Sequence, residues 1–256
     1  MTKIESIITL ARRYCIENYD YWIKKYLNEE SGQMYSNNDY NLFPRYNVLN
    51  AILQGIEEII NKNFKTINQC KIELINIGKK SQTVFTENIN NEIAKMATLE
   101  ERNKFVLYIQ NISENNLNKV SPLPYNRKLR KNESEKIREK LHKVWNFDGG
   151  YWKHSNDENE IIFLMNKFII ESDKKTIIEY IMKHEKRFFK IDEMDNNYET
   201  ETLEIDGCET VYTSKNFNWI IYISHEMYVV FGGELLLGFV KKLFHNKKDK
   251  MNKYEW

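Results

Sequence analysis

ETVYTSKNFNWIIYISHEMYVVFG, residues 209–232, decides the fold class. Within it ETVYT, NWIIYIS and MYVVF are runs of strand length, rich in β-branched and aromatic residues. Only short polar turns separate them, so successive runs fold back on one another and pair antiparallel. Upstream, YWK (151–153), EIIFLMNKFII (160–170) and RFFKI (187–191) read the same way, interrupted by a short helix near 174–185. A last helix is expected at 234–245, ELLLGFVKKLFH. The second half therefore reads as a mainly antiparallel sheet with helices packed on one face.

The first half carries the helical period instead. Thr2 and Glu5 form a capping-box pair, and Ile4, Ile7, Ile8, Ala11, Cys15, Trp22, Ile23 and Tyr26 share one helix face. Pro44 suits the first turn of a second helix, whose apolar stripe runs from Val48 to Ile60. Thr66 with Gln69 opens a third, which Gly78 is placed to end in a left-handed cap. Thr98 with Glu101 opens a fourth, which residues 88–97 can extend upstream. The polar, proline-bearing segment 113–126 reads as a linker, and a fifth helix runs from about Asn132 to Gly149-Gly150. The expected class is α+β. An all-helical module at 1–118 precedes an α+β module at 119–256, whether the two are separate or packed as one unit.

Composition narrows function mainly by exclusion. The chain has 256 residues, 38 Lys+Arg against 37 Asp+Glu, and a mean hydropathy of −0.65. Its longest apolar runs fall far short of the roughly 20 residues that span a bilayer, so no membrane role is expected. Glu5, Arg12 and Arg13 interrupt the apolar run that a signal peptide would need. Three scattered cysteines, with no CxxC, fit a reducing cytoplasm and no disulfide scaffold.

Charge is distributed unevenly along the chain. Residues 126–143 carry eight Lys/Arg and three Glu, and residues 241–253 carry six Lys and one Asp. Between them, residues 192–209 (DEMDNNYETETLEIDGCE) hold eight acids and no base. Such a stretch attracts a basic partner or mimics nucleic acid; the plainer reading is a solvated loop and hairpin. Phosphate contacts from the basic helix are the corresponding reading for Arg127, Lys128, Arg130, Lys131, Lys136 and Arg138. Near-zero net charge and interspersed glutamates make nucleic-acid binding the lesser expectation.

No GxGxxG, Walker loop, GxSxG or HExxH is present, and nothing points to a cofactor or a metal. The best local candidate for catalysis is Ser224-His225-Glu226, set between two apolar strands at an exposed sheet end. There His225 beside Glu226 would serve as a general base, and a hydrolase, joined by His154, would be the enzymatic alternative. The plainer reading is a polar turn. Tyr151-Trp152-Lys153-His154 offers a second candidate, with Trp152 anchoring a partner, or else entering the core from an edge strand.

The closing segment Trp219–Phe244, WIIYISHEMYVVFGGELLLGFVKKLF, resembles the ends of small bacterial α+β proteins that serve as immunity factors of polymorphic toxins. A tryptophan-led strand, a polar turn, an aromatic strand ending in Gly-Gly and a final helix carry the resemblance, over the last third of the chain. It implies a cytoplasmic, non-enzymatic binder of a basic toxin domain. It also nominates Asp192, Glu193, Asp195, Glu199, Glu201, Glu204 and Asp206 as the facing surface, and implies no catalytic residue.

Overall fold

The structure, a computed structural model, describes residues 1–29, 37–82, 90–148, 161–193, 195–206 and 209–253. The chain divides into two compact units, Met1–Leu123 and Pro124–Trp256.

The first unit is helical. It comprises α1 (Lys3–Glu29), α2 (Asn37–Glu58), α3 (Ile67–Lys80), α4 (Glu92–Asn111) and the single turn α5 (Glu114–Leu117). The Thr2–Glu5 capping box forms, with Thr2 N–H donating to Glu5 Oε2 at 2.6 Å and Glu5 N–H donating to Thr2 Oγ1 at 3.2 Å. Ile7, Ala11 and Cys15 of α1 meet Val48, Ile52 and Ile56 of α2, Cys70 and Leu74 of α3, and Phe105 and Ile109 of α4 in one core.

Three expected boundaries differ. Pro44 lies inside α2, which starts at Asn37, so the ring removes one backbone donor within the helix without ending it. Gly78 does not cap α3. It is buried where α3 crosses α4, and an added Cβ would stand 2.5 Å from Phe105 Cδ1. Thr98 is not a cap either: Asn91 Oδ1 accepts from Ile93 and Ala94 N–H, while Thr98 Oγ1 donates to Ala94 O from mid-helix. Glu101, the other half of that sequence pattern, is buried and paired with Arg45 at 2.6 Å and Lys104 at 2.8 Å.

The second unit is built on an antiparallel sheet. Its strands are β1 (Asn126–Lys128), β2 (Ile161–Met165), β3 (Phe188–Asp192), β4 (Tyr198–Thr200), β5 (Thr210–Ser214), β6 (Ile220–Ile223) and β7 (Tyr228–Gly232), in the order β1-β4-β3-β5-β6-β7-β2. Helices α6 (Lys131–Trp145), α7 (Glu171–His184) and α8 (Glu234–Leu243) cover it.

The sheet is covered on both faces, and not on one as expected. Val211, Tyr222 and Val230 pack with Ile137, Leu141 and Trp145 of α6. Their strand neighbours Tyr212, Ile221 and Phe231 pack on the other side with Ile177 and Ile181 of α7 and Leu236, Leu237 and Val240 of α8. Double coverage accounts for the unbroken apolar runs of β6 and β7, because a strand with one solvated face alternates apolar and polar residues. Gly233 joins β7 to α8 at φ +101°, where a Cβ would stand 2.3 Å from Asn218 O. On the side of β2 away from β7, Asn252 N–H donates to Phe163 O at 3.0 Å and Asn252 Oδ1 accepts from Phe163 N–H at 2.9 Å.

Candidate functional site

Strand register brings one end of the sheet together. Asp192 pairs with Thr210, and Thr210 with Ile223. The end of β3, the start of β5 and the β6–β7 turn therefore lie side by side. Ser224 shapes the turn: its N–H donates to Tyr228 O at 2.9 Å, and its Oγ accepts from Glu226 N–H at 3.1 Å. Met227 adopts φ 63° and donates its N–H to Ser224 O at 3.2 Å. Ser224 is buried, whereas the side chain of His225 is 62% exposed.

The carboxylate that meets the His225 ring is Glu209. Its side chain is 4% exposed and its backbone takes the left-handed φ of 48°. Glu209 Oε1 contacts His225 Nδ1 and accepts from His225 N–H at 3.0 Å, while Oε2 accepts from the Tyr222 hydroxyl at 2.7 Å. Glu226, the neighbour favoured by sequence, contributes its backbone N–H to the turn and a more distant negative charge.

The electrostatics follow from that arrangement. The His225 pKa lies above its ordinary value, first through the hydrogen bond to Glu209, then through that residue's charge, with Glu226 and Glu193 adding smaller amounts. Burial, reinforced by the bond to Glu209, raises the Tyr222 phenol far above its usual range. Engaging Nδ1 leaves Nε2 as the ring atom open to anything docking on the turn, the orientation of a carboxylate–imidazole dyad. Neither the cavity of about 630 Å³ nor that of about 310 Å³ is lined by His225. Among the described residues no group of three or more His, Cys, Asp or Glu side chains is arranged to hold a metal.

The acidic stretch divides into tethered and open members. Glu199 is interior: Arg127 Nε donates to it at 3.1 Å, the Tyr125 hydroxyl at 3.2 Å, and Lys215 closes a further ion pair. Burial alone would raise its carboxyl, but Lys215 and Arg127 hold it below the usual range. Glu199 thus lies outside any exposed face. Asp195 approaches Arg138 at 3.2 Å, Asp206 pairs with Lys174 at 2.5 Å, and half-buried Glu201 accepts from Tyr125 N–H at 2.7 Å. Asp192 accepts from Asn196 N–H at 2.7 Å, beside exposed Glu193, and Glu204 is exposed on the loop before β5.

The basic stretch is not one helix: Arg127 and Lys128 lie on β1 and the helix starts at Lys131, and two of the phosphate-contact candidates are engaged within the unit. Arg127 bonds Glu133 and Glu199, and Arg138 donates to Asp192 O at 2.7 Å. Trp152 and His154 lie outside the described residues.

Sequence reasoning counted Glu209 among the acids but missed its role, and missed Tyr222 altogether. The pairing depends on strand register, which no local pattern encodes; the only available signal was the position of Glu209 at the start of a strand. No family model, curated protein or solved structure matches the chain.

Proposed function

We propose that this chain is a non-enzymatic binding protein of the bacterial cytoplasm that neutralises a basic toxin domain, as an immunity protein does. The observation that carries the reading is the convergence of negative charge on the β6–β7 turn. Glu193 and Glu226 both act on His225, which is itself seated on Glu209. Asp192 ends β3 and Asp195 lies in the adjoining β3–β4 connection. Exposed Met227 adds an apolar contact at the tip. A sheet packed on both faces holds this end in place, so an encounter steered by charge meets a fixed surface.

Co-expression with the product of the neighbouring gene tests the reading. The expected result is growth arrest by that product, relieved by this chain and no longer relieved by the Glu193→Lys/Glu226→Lys double variant, with its thermal melt unchanged. A harmless neighbour, or relief that survives the charge reversal, would count against it.

A second reading, a hydrolase with His225 as general base, draws support from the Glu209–His225 pair. It expects turnover of an activated ester that His225→Ala abolishes.

A further inference from the structure

Four large apolar side chains of α4 face solvent: Ile93, Met96, Leu99 and Leu107, each 41–56% exposed. One exposed apolar residue is ordinary, but four along a single helix make a patch of the kind that partners cover. They do not serve the core, which α4 fills from its other side with Ala94, Ala97, Phe105 and Ile109. Counting from Ile93, steps of three and four residues pass through Met96, Glu100, Asn103 and Leu107 to Gln110, and every member is exposed. That spacing holds one stripe in line with a second helix, and here it runs opposite the buried face.

The charges on this face indicate the kind of partner that fits. Glu92 and Lys95 pair with each other at 2.7 Å, Glu100 pairs with Arg45 at 2.7 Å, and Lys104 with Glu101 at 2.8 Å. Two acids and two bases thus stand on the exposed side of α4, each already matched within the chain, so little field draws a strongly charged partner there. A neutral, largely apolar stripe suits its like, and a second copy presents one. Laid antiparallel about a two-fold axis between Glu101 and Arg102, the stripe complements itself. Met96 then meets Leu107 of the second copy, Ile93 meets the stem of Gln110, and the Asn103 amide can donate to the Glu100 carboxylate, each contact occurring twice. A parallel pairing would instead set Glu100 against Glu100, which disfavours it. We propose that the exposed face of α4 is the interface of an antiparallel, two-fold homodimer.

Sedimentation equilibrium of the full chain tests the assignment. At about 100 µM the mass should be twice the 30.9 kDa of one chain. Met96→Glu/Leu107→Glu sets acid against acid across the axis and should raise the dissociation constant at least about tenfold. Both side chains are more than half exposed, so the far-UV circular dichroism of this variant should match that of the parent. Mixing it with Met96→Lys/Leu107→Lys should restore dimers, because the antiparallel register then places each introduced acid opposite an introduced base. A chain that stays monomeric at about 100 µM, a dimer indifferent to the introduced acids, or no recovery on mixing would overturn the assignment.

Discussion

The two flanks of the sheet unit treat a buried carboxylate in opposite ways. On β4, Glu199 is neutralised by Lys215 and by Arg127, a guanidinium whose charge is permanent. Beside β5, Glu209 is matched to His225, whose charge changes near neutrality, and to a Tyr222 hydroxyl that carries none. The first arrangement ties β4 to β1, the three-residue strand at that end of the sheet, which carries Arg127 and has little apolar surface of its own. The second holds an ionisable ring at an exposed turn. Equal burial therefore says little about a carboxylate's role; the permanence of its partner's charge distinguishes a fastening from a functional position.

The largest expected effect lies on the Glu199 side. Arg127→Ala removes one of the two cations that compensate the buried Glu199 charge, and also frees Glu133, and should cost on the order of 2–4 kcal/mol in chemical denaturation. A loss under about 0.5 kcal/mol would place Glu199 in solvent and dissolve the contrast. On the other side, Tyr222→Phe removes one donor from Glu209 and should cost about 1–2 kcal/mol by the same measurement.

The pH responses should run in opposite directions. The folded Glu199 carboxyl sits below its ordinary 4.5, so its contribution is complete above that value and is lost as pH falls through the folded pKa. The folded His225 ring sits above 6.5, so its contribution is complete below 6.5 and is lost as pH rises through the folded pKa. Proton NMR should show a His225 midpoint above 6.5 that drops in Glu209→Gln; an unmoved midpoint would break the pairing. The smallest effect is expected from Glu193→Gln, a slight fall in the same midpoint with stability changed by less than about 0.5 kcal/mol.

Much of the architecture was legible in the sequence because burial leaves a periodic trace. The long apolar runs of β2, β3, β5, β6 and β7 and the stripes of the helices were visible in that way. Strands β1 and β4 were not. NRK and YET are short and polar, and the Arg127–Glu199 contact that joins them spans 72 residues of sequence. Gly78 and Thr98 misled for a related reason: a tertiary crossing and a buried ion pair occupied positions where local rules expect caps. Of the site, the turn and its histidine could be read from adjacent residues. Glu209 and Tyr222 could not, since their meeting with His225 depends on which strands are neighbours.

The Asn252–Phe163 pairing bears on how the molecule can be handled. That single residue satisfies both main-chain groups of Phe163, at the centre of the last strand in the described order, much as an added strand would. Shortening the chain to end at Lys250 would bare a template for strand addition, and the truncated protein should gain a self-association through β2 that the intact chain lacks.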